Sequence, residues 1–501
     1  MALQIPKLFK ILEKPPRKSD RSEKSEKSEN SSSKNNKENN QKLAATAEKE
    51  KPEKQEKPEK QVQIEGPPWT AVPKKIKFLF VSIEALIGDL AWIIKNEGHD
   101  VRYFISDKDS KDVCDGFLEK TDDWKRDAAE WADVIVFDDI GFGAQADALR
   151  KQGKLVVGGS AYTDKLEDNR EFGQDELAAA GVPTLPHWDF DDFDAAVKFI
   201  EQNPGRYVMK PSGEAQNEKE LLFIAQEEDG RDLLNVLIHY KKNWAKKIKR
   251  FQLQKYAAGV EVAVGAFFNG KDFVYPINVN FEHKKMFPGE IGPSTGELGT
   301  LCFWSQPNAL FNQTLAKMKD KLAASGYVGY IDVNCIANAR GVYPLEFTSR
   351  FGYPTISLQA EGVLSPWGEF LYRLARGEKP ELKTKKGFQV CVVIAVPPYP
   401  FDDPGTFKKF SEDAAILFKK QDALEGVHLG DVKLVEGDWR IAGNSGWALI
   451  ITGSGATVEE ARKQAYNRVR NVMIPNMFYR TDIGMRWYTD SDRLQTWGYL
   501  Y

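Results

Sequence analysis

The stretch YPLEFTSRFGYP, Tyr343 to Pro354, sets a carboxylate at Glu346, a hydroxyl at Thr348 and a guanidinium at Arg350, then breaks on Gly352 and Pro354. In a strand, residues i, i+2 and i+4 share one face. These three side chains are therefore expected to point one way, with Phe347 and Phe351 pointing into a core. A carboxylate and a guanidinium on one face suit a metal–phosphate site; they equally suit a surface ion pair. Asp332, in YIDVN, is read as the end of a strand 14 residues before Glu346, with Asn334 on its face. Two adjacent strands can then present Asp332 and Glu346 together, and neighbouring carboxylates are costly unless a cation neutralises them. Hard oxygen ligands of this kind suit Mg2+ with nucleotide phosphates. The bland alternative pairs Asp332 with Lys284 or Arg350, or Arg350 with Glu346. Upstream, Lys210 in YVMKPSG closes a strand before a turn, where an ammonium meets phosphate oxygens or merely solvent. Glu261, in AAGVEVAVG, follows a glycine turn and can accept hydrogen bonds from a ribose, or stand as a surface charge.

These residues need a scaffold. At 501 residues the chain is expected to form about two to four domains. Lys14 to Pro73 is charged and repetitive, with KPEKQEKPEKQ at its end, and has almost nothing to bury, so residues 1–73 read as a disordered charged tail. From Lys74, KIKFLFVSI, DVRYFI, DVIVFDD and KLVVGG read as strands with helical stretches between them. That β/α alternation predicts a parallel, Rossmann-like sheet over 74–160. The helical stretch DNREFGQDELAAAGVP leads into 161–386, where RFQLQKY, EVAVGAFFNG, FVYPINVNF, YVGYIDVNCIA and VYPLEF alternate with Asn-Gly and Gly turns. This predicts an α+β domain with an antiparallel sheet. A third α+β unit, 387–501, opens with FQVCVVIAV and closes with a strand, a turn and an amphipathic helix N-capped by Thr457.

Composition excludes several classes. Net charge is −3, so nothing global points to nucleic acid. The four cysteines and five histidines show no metal spacing, which fits free buried thiols in a reducing, cytoplasmic setting and not a zinc site. No apolar run approaches the ~18 residues of a membrane span. LQIPKLFKIL, with lysines inside its apolar run, is not a secretory signal.

The order Lys210, Glu261, Asp332, Glu346 across an α+β domain behind a Rossmann-like one resembles the ATP-grasp superfamily. GPSTGELGT (Gly292 to Thr300), LEFTSRFGYP, and GSGATVEEARKQAYNRV followed by FYRTDIG resemble glycinamide ribonucleotide synthetase, the phosphoribosylamine–glycine ligases of purine biosynthesis. EHKK (Glu282 to Lys285) matches the family's Asp-His-Lys-Arg ahead of the Gly-Pro-Ser-Thr-Gly loop, and the likeness runs from roughly Lys75 to Gly484. The resemblance implies an ATP-grasp fold of two α+β lobes, with a Rossmann-like domain before it and a small α+β domain after it. It implies ATP and Mg2+, an acyl phosphate formed on a carboxylate such as glycine, and capture of that intermediate by an amine. Carried over residue by residue, Lys210 binds the α/β phosphates and Gln254 and Tyr256 lie at the adenine hinge. Glu261 meets the ribose, and Asp332, Glu346 and Thr348 hold Mg2+. Arg350 contacts phosphate or the acyl intermediate, Thr295 and Gly296 line the substrate pocket, and Glu282 approaches the amino acid's ammonium.

The chain also departs from the family. Its Gly-Gly-Arg-Glu-His, which grips the phosphoribosylamine phosphate, reads EALIGD (Glu84 to Asp89) here. The lysine-bearing glycine loop after Lys210 reads SGEAQNEKELLF, with Lys219 as a stand-in. The metal-binding asparagine is Thr348, the aspartate of Gly-Asp-Pro is Tyr353, and glutamates before the hinge are Gln254 and Lys255. Two expectations follow: a family-shaped ligase whose amine is not free phosphoribosylamine, or a non-catalytic relative serving as a binding or scaffold module.

Overall fold

The structure, a computed structural model, describes residues 72–212, 221–420 and 424–501. The charged tail through residue 71 and the loop carrying Lys219 lie outside the described residues. KFLFVS forms β1 (Lys77–Ser82), with every residue but Lys77 buried. It centres a five-stranded sheet of order β3-β2-β1-β4-β5, completed by β2 (Asp100–Ile105), β3 (Glu119–Lys120), β4 (Val134–Phe137) and β5 (Leu155–Val157). Every neighbouring pair is parallel. Such a sheet needs cover on both faces. Phe78 and Phe80 accordingly enter one core with Leu90 and Ile94 of the helix Gly88–Asn96, while Leu79 and Val81 enter another with Trp124 and Ala146. The turns leaving β1 and β4 bring Glu84 and the pair Asp138–Asp139 to the carboxyl edge of this sheet.

A small lobe follows, built on β6 (His187–Phe190), β7 (Tyr207–Pro211), β8 (Phe223–Ile224) and β9 (Phe251–Lys255), in the order β6-β9-β7-β8. Tyr207, Met209, Phe251 and Leu253 pack against helices Phe193–Gln202 and Arg231–Lys247 in a core of their own. Alternation sends Lys210, Gln252 and Gln254 to the other face, with Lys210 directly opposite Gln252.

The large sheet has eight strands. It uses β10 (Val260–Asn269) and β11 (Phe273–Glu282); the hairpin β12 (Lys285–Phe287) with β13 (Ile291–Ser294) stands apart; then come β14 (Gly299–Ser305), β15 (Val328–Asn338), β16 (Gly341–Thr348) and β17 (Phe388–Ala395). β18 (Leu417–Phe418) and β23 (Val472–Met473) pair with each other, as do β20 (Val432–Val435) and β21 (Asp438–Ile441). β19 (Val427–Leu429) and β22 (Trp447–Gly455) complete the order β16-β15-β10-β11-β14-β17-β22-β19. Gly387, expected to open a separate unit, thus lies just before a strand that pairs with β14, Thr300 opposite Cys391. Asp332, read from sequence as a strand end, sits in the middle of β15. The helix Val458–Val469 opens with the expected cap: Thr457 and Glu460 form a reciprocal capping box. Among the described residues no helix is long and apolar enough to cross a membrane, and all four cysteines are free and buried.

Candidate active site

Register places the acids. Across β15 and β16, Asp332 opposes Thr348 and Asn334 opposes Glu346. Across β10 and β15, Gly265 opposes Asp332 and Ala263 opposes Asn334. Directly opposed residues of an antiparallel pair project to the same face, so Glu261, Asp332, Asn334, Glu346 and Thr348 share one. Glu282, two residues past Asn280 on β11, joins them, since Asn280 opposes Ala263. Asp332 and Glu346 are therefore diagonal neighbours on one face, as expected. Gly265 makes the crowding possible, because a Cβ there would run into Tyr330 and Asp332.

Three cations answer the outer acids. Lys284 Nζ lies 3.0 Å from Glu282, 3.2 Å from Glu261 and 3.8 Å from Glu346. Burial disfavours its charge, but Glu282, Glu261 and Glu346 outweigh that and hold it firmly protonated. Arg170 Nη2 reaches Glu346 at 3.4 Å, and its Nη1 donates to Pro211 O at 2.7 Å, fastening β7 to β16. Lys210, buried at the end of β7, feels Arg170, Glu346, Lys284 and Glu261. Burial, then Arg170, lowers its ammonium to about 8. Asn334 Nδ2 donates to both oxygens of Glu282 at 3.2 and 3.1 Å, which fixes that carboxylate in place.

The site fits a Mg–nucleotide. Asp332 is 2% exposed, yet its Oδ1 has no hydrogen-bond partner among the described residues. Thr348 and Tyr330 hydroxyls reach the carboxylate, while burial and then Glu282 raise its pKa to about 8. A buried carboxylate with an open oxygen, beside Glu346 and Thr348, is a hard-oxygen donor set for Mg2+. On the facing lobe, the Lys210 ammonium has no hydrogen-bond or ion-pair partner among the described residues. Gln252 and Gln254, on its face, each have a buried Nε2 likewise unpartnered. One cation and two open amide donors suit phosphate and polar ring edges.

The shared face expected of Arg350 is corrected, and other side chains singled out in the sequence have partners of their own. Arg350 does not share the metal face, because β16 ends at Thr348 and the chain turns. Ser349 N donates to Glu167 Oε2 at 2.6 Å, and the Arg350 Nε points to Glu167 Oε1 at 3.2 Å and Asp139 Oδ1 at 3.5 Å. It therefore pairs with acids at the edge of the parallel sheet and not with Glu346, while staying within Coulombic reach of Asp332. Lys284, the other suggested partner of Asp332, is taken by the three glutamates. Thr295 donates its hydroxyl to Lys284 O at 2.9 Å, and its N–H to the same carbonyl at 2.7 Å, so it stitches its loop to the residue before β12. Gly296 is exposed, and a Cβ on it would stand 4.0 Å from the Tyr399 hydroxyl. One face of Tyr256 is covered by the Arg206 guanidinium, 3.6 Å from the ring centroid. Glu261 is spent on Lys284. Lys255, one residue past Gln254, alternates to the far side and lies over Tyr207.

Sequence reasoning missed Arg170, Lys284's role and Glu297. A helix N-terminal arginine after an Asn cap carries no local signal of an active site, and Glu297 sits in what reads as ordinary turn chemistry. The EHKK loop has its own anchor. Arg480, 0% exposed, donates to Lys285 O at 2.6 Å, Glu290 Oε1 at 2.7 Å and Asp482 at 2.8 and 2.9 Å. Gly484 N donates to His283 Nε2, which leaves Nδ1–H to donate to Glu290. His283, Glu290 and Asp482 cluster like metal ligands, but Arg480 supplies their positive charge. A separate cavity of about 230 Å³, lined mainly by apolar side chains such as Trp92, Phe418 and Trp439, lies away from these acids.

Two family models match the chain: phosphoribosylglycinamide synthetase, ATP-grasp (A) domain, over residues 168–356, and phosphoribosylglycinamide synthetase, C domain, over 389–486. The chain is 28% identical over 364 residues to a phosphoribosylamine–glycine ligase of Caulobacter vibrioides, covering 68% of this chain and 80% of that one. It is 27% identical over 354 residues to the ligase of the same name from Listeria monocytogenes, with the same coverage. A crystal structure of phosphoribosylamine–glycine ligase from Thermotoga maritima superposes with a TM-score of 0.62 at 20% identity, covering 82% of this chain and 100% of that one. The biotin carboxylase domain of a Hydrogenobacter thermophilus 2-oxoglutarate carboxylase, solved with MgADP, gives 0.56 at 14%, covering 85% and 95%.

Proposed function

The chain belongs to the phosphoribosylglycinamide synthetase family of ATP-grasp enzymes, and from that premise we propose a carboxylate–amine ligase that works through an acyl phosphate. It is an ATP-dependent ligase that uses ATP and Mg2+. Asp332, Glu346 and Thr348 would hold the metal, which when bound neutralises phosphate charge. Lys210 meets the phosphates from the small lobe, and Gln254 offers its amide to the base. Glu282, fixed by Asn334 and Lys284, orients an amino acid's ammonium. A substrate carboxylate oxygen attacks the γ-phosphorus and ADP leaves; an amine nitrogen then bonds to the acyl carbon and inorganic phosphate leaves. The chain's part is alignment and charge neutralisation. The loop after β1, Glu84 to Asp89, lacks the arginine and histidine of the family's phosphate anchor, and this departure is what supports reading an amine other than free phosphoribosylamine. Among the described residues nothing favours a non-catalytic scaffold.

One observation carries this reading: the buried Lys210 ammonium of the small lobe lies within Coulombic reach of Glu346, which shares one face of the large sheet with Asp332 and its open Oδ1. The test is hydroxylamine trapping. With Mg-ATP, hydroxylamine and a panel of amino acids, glycine first, one carboxylate is expected to yield hydroxamate and ADP in equal amounts. ADP without hydroxamate for every carboxylate would refute the acyl phosphate.

Lys210 gives the proposal a pH signature. Its proton leaves near pH 8 in the folded chain, below the ordinary lysine value. Mg-ATP affinity is therefore expected to fall as pH rises above about 8, by up to about tenfold per pH unit. Apo stability moves the other way between about 8 and 10.5, since there the unfolded chain holds the proton that the folded chain has lost. Titration calorimetry from pH 7 to 9.5 checks the first trend, and Lys210→Met should flatten it.

A further inference from the structure

The apolar cavity beside Trp92 has the form of a small-molecule site. It encloses about 230 Å³ between the helix Gly88–Asn96 and strands β18, β19, β21 and β22. Trp92, Phe418, Trp439 and Leu449 supply much of its wall. Phe117 packs edge-on between the two indoles, its ring centroid 5.3 Å from each. Concave, mainly apolar walls of this kind are how proteins take up small molecules. Size sets the occupant. An apolar cavity of about 150 Å³ takes one benzene, so this one takes a ring system of roughly nine heavy atoms and not a chain. Chemistry narrows it further. Among the described residues no lysine or arginine lines the cavity, so an anion has no partner there. Asp89 and His428 form its polar end. Asp89 Oδ2 accepts from His428 Nδ1 at 2.7 Å and Oδ1 from Leu429 N at 2.9 Å. Each carboxylate oxygen keeps a further acceptor lone pair, so this end takes an N–H donor.

From that end a run of hydrogen bonds leads back toward the acids. A carboxylate only accepts, so His428 Nδ1 bears the proton in its bond to Asp89. His428 Nε2 faces the Thr452 hydroxyl at 3.1 Å, and the same hydroxyl lies 2.9 Å from Glu361 Oε2 and 3.3 Å from Gly426 O. One hydroxyl proton cannot serve all of these acceptors, so Thr452 is a rotor whose setting depends on His428. Glu361, also held by Lys385, Ser454 and Arg468, lies near the end of the helix Thr355–Gly362. That helix follows β16, the strand of Glu346 and Thr348.

We infer that this cavity is a regulatory site for a neutral, fused-ring aromatic molecule with one N–H donor, whose bond to Asp89 is felt at the Mg-nucleotide site through His428, Thr452 and Glu361. The regulatory role rests on the nucleotide reading above; occupancy of the cavity does not. A donor placed on Asp89 competes with His428 for that carboxylate. The Thr452 hydroxyl then turns, and the helix changes the support it gives to β16.

The full chain is titrated by calorimetry with indole and with benzofuran, its isostere without the N–H. Indole is expected to bind with a Kd of about 0.1–1 mM, and benzofuran about fivefold more weakly or worse. Val427→Trp, on the edge strand β19, fills the recess and should abolish indole binding while Mg-ATP affinity stays as in the wild type. Should that variant fail to fold, Trp92→Ala removes one wall and should weaken indole by about tenfold. Saturating indole is expected to change the Kd for Mg-ATP by about twofold or more, and Mg-ATP the Kd for indole by the same factor. Thr452→Val should keep indole binding and lose this coupling. No binding of indole up to its solubility, equal affinity for benzofuran, or binding that survives in the filled variant overturns the inference. So does bound indole that leaves Mg-ATP affinity unchanged. A chain that binds indole but no Mg-ATP overturns the nucleotide reading and, with it, the regulatory role.

Discussion

Glu346→Gln is expected to abolish the rise in melting temperature that saturating Mg-ATP gives the wild-type chain, and to cut ADP release by about a thousandfold. The size follows from removing one anionic metal ligand, which is worth several kcal/mol of charge stabilisation on a transferring phosphoryl group. The wild-type shift itself, a few kcal/mol at a large excess of ligand over Kd, follows from mass action. The apo protein should barely notice. Glu346 is partly exposed, with its side chain 38% accessible, and its loss leaves Lys284 with Glu261 and Glu282, and Arg170 with Pro211 O. A change of about 1 kcal/mol or less is expected for such a pair. Calorimetry of both proteins, with and without Mg-ATP, separates the two effects. A full Mg-ATP shift in Glu346→Gln would remove this residue from the metal site.

Arg480→Ala carries the largest expected cost to stability, about 3–5 kcal/mol at neutral pH, because it strands two carboxylates without their cation. Burial pushes Glu290 up, but hydrogen bonds from His283 and Arg480 more than offset this and hold it at about 2. Asp482 is pushed up by burial too, and Arg480 and Gly289 N bring it to about 2. Both folded values lie below the ordinary carboxylate range, so the unfolded chain takes up protons first on acidification. The stabilisation they give is whole above about pH 4.5 and is lost as pH falls toward 2. Urea unfolding of the wild type and the variant should therefore converge between pH 4.5 and 2. A gap that stays constant over that range would mean that Arg480 acts by packing alone. Activity should fall with stability, since Arg480 holds Lys285 O and with it the loop that presents Glu282 and Lys284.

Much of this could be read from local pattern. The apolar run of β1, the alternation that sets Glu346 and Thr348 on one face, and the Thr457 cap depend on neighbours within a few residues. The face shared by Asp332, Glu346 and Thr348 was predictable because a two-residue period fixes which side chains align. What failed was long-range. Arg350 was assigned by extending that period two residues past the end of β16, where Ser349 turns toward Glu167. Its partner Asp139 follows β4 of the parallel sheet, far away in sequence, and no spacing rule connects them. The hydrogen bonds of Thr295 to Lys284 O were not legible either, because Gly, Pro, Ser and Thr clusters do not reveal which carbonyl they bind. The weight of Arg170 and Lys284 emerges only when β7 and the EHKK loop meet over β16.

The run of hydrogen bonds from β16 to β19 has a consequence for how such a chain can be divided. Because β14 and β17 are neighbours in one sheet, cutting at Gly387 would not release a module but would tear a ladder. Leu301 and Phe303 would then lie along an open strand edge with unpaired amides, the kind of surface that templates aggregation. The eight strands therefore form one unbroken hydrogen-bonded sheet from the acid-bearing rim at β16 to the rim at β19.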